Sequence, residues 1–281
     1  MTLFFPQLRA ELLKLFARKR TYIGFGAFVI IELLILGLLE LPKVKRAFQM
    51  FIEGNGYEFR QYYSGLTLAF IILSATILIL GSLYLALVSG DVVSKEIEDG
   101  TMRMVLCRPV SRLRLMVVKY FACVIYTFTL IFFIGVTALG VGLLRQGTGG
   151  MFVFAPLEQI FALFSFQDGL QRYSCAVVCM SLSLTTISSI GFLLSCCRMK
   201  PAAATIVTLS VAFVDMVFRS IEQFASIREF LLTTHMSTWV NCYRAPVPVW
   251  RMVEDYAYLL GADATFFVVG ALVFILRDLK A

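Results

Sequence analysis

Charge is scarce in this sequence, and histidine is almost absent. Of 281 residues only 15% are charged, while 59% are hydrophobic. That balance lies outside the soluble globular range. A single histidine, His235, rules out any two-histidine metal motif. No Gly-Lys dipeptide occurs, so there is no G-x-x-x-x-G-K-[ST] phosphate loop. No G-x-S-x-G occurs either, which leaves His235 without the serine of a nucleophile elbow. The seven cysteines (Cys107, Cys123, Cys175, Cys179, Cys196, Cys197 and Cys242) lie mostly in or beside apolar runs, without paired metal-ligand spacing. Only Cys242 falls in a segment expected outside, which excludes an external disulfide framework. Cys175 and Cys179 are one helical turn apart, but two thiols alone make a poor metal site, and packing is their expected role.

What is present is a series of apolar runs close to the roughly 20 residues that a helix needs to cross about 30 Å of hydrocarbon. Six are expected, at about Thr21–Leu39, Leu66–Ser89, Tyr120–Leu144, Tyr173–Cys197, Ala202–Phe218 and Tyr258–Leu276. Residues 1–20 mix Leu8, Leu12, Leu15 and Phe16 with Arg9, Lys14, Arg18 and Lys19, the pattern of an amphipathic helix lying in the membrane interface. No cleavable signal peptide is expected, since the first apolar run is long enough to span and no small-residue cleavage site follows it. A polar loop with Gly54, Asn55 and Gly56 separates the first two spans, and a short surface helix is expected around Leu157–Phe166. Residues 219–257 form an amphipathic external segment. Its Trp239, Tyr243, Trp250 and Tyr256, with Tyr258, read as an interfacial aromatic belt. No internal repeat is visible, so residues 1–281 read as one all-α polytopic membrane domain.

The net charge of +7 is explained by topology, not by nucleic acid. With the N-terminus inside, the inner segments (1–20, 91–119, 198–200 and 277–281) hold 15 Lys or Arg in 57 positions, against 10 in 93 for the outer ones. Both termini are therefore expected in the cytoplasm.

The inner stretch 91–119 carries 10 of the 43 charged residues. Val92–Asp99 reads as a short helix with an acidic face of Asp91, Glu96, Glu98 and Asp99, ended by Gly100. Thr101 is placed to cap a further turn. Pro109 bars Arg108 from helical geometry, and Ser111 is placed to cap a helix running through Arg112, Arg114 and Lys119 into the third span. The result is a stiff bracket between two membrane helices, suited to passing a push from a soluble partner into the membrane.

The run Glu96-Ile97-Glu98-Asp99-Gly100-Thr101, then Cys107-Arg108-Pro109-Val110-Ser111-Arg112 and Lys119, resembles the cytoplasmic loop of ABC-2-type permeases. Leu232–Trp239 with Pro246–Trp250 resembles that family's external segment before the last span. Glu11-Leu12-Leu13-Lys14 with Arg18–Thr21 is similar to its entry helix. The resemblance implies the membrane-spanning subunit of an ATP-driven exporter: two six-helix permeases, identical or related, with cytoplasmic ABC ATPases docked on the inner loops. It implies that ATP and Mg are bound by the partner ATPase, that this chain binds no cofactor or metal, and that Glu96, Glu98, Asp99, Gly100, Thr101, Arg108, Pro109, Ser111 and Arg112 receive the force. The cytoplasmic membrane of a bacterium or archaeon is the expected location.

Glu32 in the first span and Asp215 in the fifth are charges at membrane depth, where each costs a few kcal/mol unless paired or wet. They are candidates for a cargo path or for inter-helix contacts. Ser181, Thr185 and Ser188 share one face of the fourth span and read mainly as helix-packing groups. Two rivals to the exporter reading are a membrane-embedded enzyme, for which no clustered catalytic set is visible, and an ATPase-coupled mechanical or signalling subunit acting on an external partner.

Overall fold

In the computed structural model, which describes residues 4–107 and 111–276, the chain is mostly helical. The amphipathic entry helix is α1 (Phe4–Phe16), followed by α2 (Lys19–Leu39), α3 (Pro42–Gly54) and the short α4 (Phe59–Tyr62). Next come α5 (Gly65–Thr76), a π-helical turn at Ile77–Gly81, α6 (Ser82–Glu98), α7 (Thr101–Leu106) and α8 (Arg112–Gln146). A hairpin of β1 (Met151–Ala155) and β2 (Ile160–Phe164) leads into α9 (Phe166–Cys196) and α10 (Pro201–Ser220). A 3-10 segment at Glu222–Phe230, α11 (Leu232–Met236), a second 3-10 segment at Ser237–Tyr243 and α12 (Val249–Leu276) complete the described residues.

Among the described residues five helices, α2, α8, α9, α10 and α12, are long and apolar enough to cross a membrane. They contain the first, third, fourth, fifth and sixth expected spans. The second corresponds to α5 and α6, joined through the π turn with helical dihedrals kept on both sides, so that the two arms form one rod from Gly65 to Glu98. Local chemistry sets the helix ends. The Ser111 hydroxyl accepts the Arg114 N–H at 3.3 Å to start α8, and Ser165 caps α9 by accepting the Asp168 N–H at 3.3 Å. Gly147, at φ +70°, ends α8 in a conformation that L side chains rarely adopt.

Three expectations need correction. Residues 157–166 form no surface helix: most of them belong to the antiparallel hairpin, paired Met151↔Phe164, Val153↔Ala162 and Ala155↔Ile160. Aromatic and β-branched residues such as Phe152, Val153, Phe154, Ile160 and Phe161 suit a pleated surface, and Gln159 at φ +52° turns the chain. The described residues are thus mostly helical with one small two-stranded sheet. The polar loop after the first span contains α3, whose Phe51 packs on Phe152, Phe154 and Phe161 of the hairpin. Finally, the aromatic belt is divided: Trp250 and Tyr258 are exposed, but Tyr243 is fully buried against Phe70.

The core is built around α9, against which α6, α8, α10 and α12 pack. By contrast, α2 and α10 keep large apolar side chains such as Ile30, Leu34, Phe213 and Val214 exposed, a surface suited to lipid or to a second membrane protein. Where α5 crosses α8 the backbones almost touch: a Cβ on Gly142 would lie 2.3 Å from the Gly65 carbonyl oxygen. No side-chain rotation relieves a clash with backbone, so Gly142→Ala is expected to cost about 1–3 kcal/mol. Thermal unfolding in detergent checks this, with Gly140→Ala as control because nothing lies within 4 Å of its Cβ.

Candidate functional site

Arg112 Nη1 donates to the Ile275 carbonyl at 3.0 Å, which brings the start of α8 to the end of α12. The end of α6, the start of α8, α1 and the start of α2 meet at this same end of the bundle. The hairpin, α3, α11 and the second 3-10 segment gather at the other.

The acidic stretch is not the short separate helix with one solvated face that its sequence suggests. Val92–Glu98 is the last part of α6, and its carboxylates divide by depth: Asp91 and Glu96 are buried, Glu98 and Asp99 exposed. The physical reason is a set of basic partners far away in sequence. Arg20 pairs with Asp91, and Lys14 pairs with Glu96. Lys119, only 1% exposed, reaches Glu96 at 2.9 Å, Glu11 at 3.0 Å and the Val92 carbonyl at 3.5 Å. Each of the three ammonium protons therefore has an oxygen to meet. The cluster ties α1 to both α6 and α8.

Burial on its own raises the Glu96 pKa, but the Lys119 and Lys14 ammoniums outweigh it and hold the carboxyl below its ordinary 4.5. A carboxylate with a depressed pKa contributes fully above its unperturbed value and loses that contribution only as pH falls through the depressed one. Attachment of α1 to α8 is therefore expected to stay constant from about pH 8 to 5 and to loosen only in stronger acid. The distance between spin labels at Ala10 and Leu113 reports this, and loosening near neutrality would contradict it.

Beyond the cluster, α6 stops at Gly100, whose φ of +71° closes the helix. Thr101 opens α7 with its hydroxyl donating to the Glu96 carbonyl at 3.2 Å. Arg108 and Pro109 lie outside the described residues. What remains is an exposed tip of Glu98, Asp99 and Gly100 on the end of a long rod, held from behind by buried ion pairs.

The membrane-depth candidates occupy other places. Glu32 is fully buried on α2 and accepts the Thr137 hydroxyl of α8 at 2.9 Å. Asp215 accepts the backbone N–H groups of Leu232 at 3.3 Å and Thr233 at 2.7 Å, so it caps the start of α11. Ser188 bonds Thr127 of α8 at 2.7 Å, whereas the Ser181 and Thr185 hydroxyls return to their own helix through Val177 and Ser181 carbonyls at 2.9 Å. The structure does not bring these five residues together. His235 sits between Asp255 and the Glu229 carbonyl, at 2.7 and 2.8 Å, and so links α11 to α12.

Sequence reasoning missed two polar features. Asp263 is a buried carboxylate of α12, placed against the α9 hydroxyls Thr186 and Ser189. Its only local signal is a charge inside an apolar run. The other is Cys242, which folds back onto Cys175 and Cys179.

A chain whose described residues are mostly helical, with five apolar membrane-length helices and a buried ion cluster around Lys119 at one end, is a multi-pass membrane protein. It belongs to the ABC-2 family of transporter proteins, whose family model matches residues 7–215 and so covers Glu11, Lys14, Glu96 and Lys119. Among curated relatives, the chain is 31% identical over 117 residues to the uncharacterized protein YhcI of Bacillus subtilis (strain 168). That alignment covers 40% of this chain and 37% of the relative's length.

Proposed function

We propose that the chain is the membrane-spanning permease subunit of an ATP-driven exporter in the cytoplasmic membrane of a bacterium or archaeon. It crosses six times, the α5–α6 rod making the second crossing, with both termini in the cytoplasm. Two permease copies, identical or related, pair through their exposed apolar faces. Partner ATPases, which carry ATP and Mg, dock on the tip at Glu98–Thr101 and on the bracket that continues through Arg108, Pro109, Ser111 and Arg112. Their closure moves α6 and α8 together, because the ion cluster around Lys119 fastens both to α1.

The observation that carries this reading is the exposed acidic tip on a rod locked by buried charges: a push on Glu98 has little soft loop in which to dissipate. Glu32 and Asp263, buried between helices, are groups whose partners would change if the bundle opened for cargo. The absence of a phosphate loop from the sequence agrees with nucleotide chemistry on another chain.

Copurification tests the assignment. The tagged permease is expected to retain a phosphate-loop ATPase and to raise its hydrolysis rate; a chain that functions with no such companion would refute it. Orientation has its own check. In single-cysteine variants, an impermeant thiol reagent is expected to label Asn55→Cys on intact cells and to reach a retained Cys107 only after permeabilisation; both positions are exposed in the structure. The reverse order would invert the topology.

A further inference from the structure

At the opposite end of the bundle from the ion cluster, three thiols converge. Cys175 and Cys179 lie one turn apart on α9, and Cys242 comes from the 3-10 segment Ser237–Tyr243. Their sulfurs all lie within 4.8 Å of one another, with Cys175 and Cys242 at 3.7 Å. A metal–sulfur bond of about 2.3 Å demands sulfur–sulfur separations of about 3.8 Å in a tetrahedral shell, so only small side-chain movements separate this arrangement from a coordinating one. The thiols line a cavity of about 470 Å³, which gives an ion room to enter.

We infer that Cys175, Cys179 and Cys242 form a binding site for a soft monovalent cation, cuprous copper. The donor set decides the class. Met252, a thioether residue, also lines the cavity, and no histidine does. Thiolate with thioether suits Cu(I), whereas structural zinc sites take a fourth thiolate or an imidazole. Supporting contacts hold the ligands in place. Arg172 donates to the Cys242 and Arg244 carbonyls at 2.7 and 2.8 Å, fixing the 3-10 segment on α9 and setting a positive charge beside the thiolates. Tyr256 donates to the Cys179 carbonyl at 2.9 Å. Each thiol that ligates the ion releases its proton to solvent.

The test uses the full-length protein in nanodiscs, reduced and kept anaerobic, with Cu(I) titrated against a chromogenic Cu(I) chelator. One ion per chain is expected, with ultraviolet thiolate-to-copper absorption. Cys175→Ser, Cys179→Ser and Cys242→Ser should each weaken binding by more than the roughly 10- to 100-fold that loss of a supporting residue costs. Cys107→Ser should leave it unchanged. Cys175 is exposed, so Cys175→Ser separates lost binding from lost folding, with size-exclusion behaviour as the check. Copper uptake indifferent to these three substitutions would overturn the site. So would preference for Zn(II) in direct competition, or a Cys175–Cys242 disulfide whose reduction yields no copper-binding protein.

Discussion

Replacing Lys119 by Met is expected to lower the stability of the purified permease by about 3–5 kcal/mol, the range for breaking a buried ion pair from one side. The side chain is 1% exposed and neutralises two carboxylates at once, Glu96 at 2.9 Å and Glu11 at 3.0 Å. Met fills much of the volume but leaves those carboxylates with Lys14 alone, itself 41% exposed and 3.7 Å from Glu11. The loss should appear as a lower unfolding temperature in detergent and as weaker attachment of α1. Adding Glu96→Gln should recover part of it, because an apolar or neutral replacement of both partners removes the stranded charge. If Lys119→Met unfolds like the parent, the cluster is not what fastens α1, α6 and α8 together.

Glu98→Lys should have the opposite profile, with stability unchanged and coupling lost. Glu98 is exposed at the end of α6, and a surface charge away from such networks shifts stability little. Reversing its sign at the proposed docking surface would place like charge where opposite charge is expected, which should cost about 2–5 kcal/mol of association with the proposed ATPase partner. Copurification and permease-stimulated hydrolysis should then fall at least tenfold, about 1.4 kcal/mol or more. Undiminished binding and stimulation would show that the ATPase engages some other surface. Comparing the two variants separates a residue that holds the fold together from one that acts only at the proposed docking surface.

The long apolar helices are legible because their signal is local. A bilayer imposes a length and an apolar composition on each helix, and α2, α8, α9, α10 and α12 each contain the expected run. Helix starts at Ser111 and Ser165 obey equally local capping rules, although only the first was expected. The hairpin was illegible for a related reason: a short apolar run fits a strand or a helix equally well until its partner is known, and Phe161 finds that partner in Phe154. The acidic stretch is visible in the sequence but its depth is not, since nothing in Asp91–Asp99 says that Lys14, Arg20 and Lys119 will arrive to bury half of it.

By itself, then, the sequence determined a multi-pass helical membrane chain, the order of its apolar helices, and an acidic tip followed by a capped helix, because hydrophobic run length and capping act over one or a few turns. Only the tertiary structure decided which charges are buried, that Asp215 caps α11, and that Cys242 joins Cys175 and Cys179. Those outcomes depend on contacts between residues up to 108 positions apart, as in Lys119 with Glu11, and no periodicity along the chain encodes such a distance.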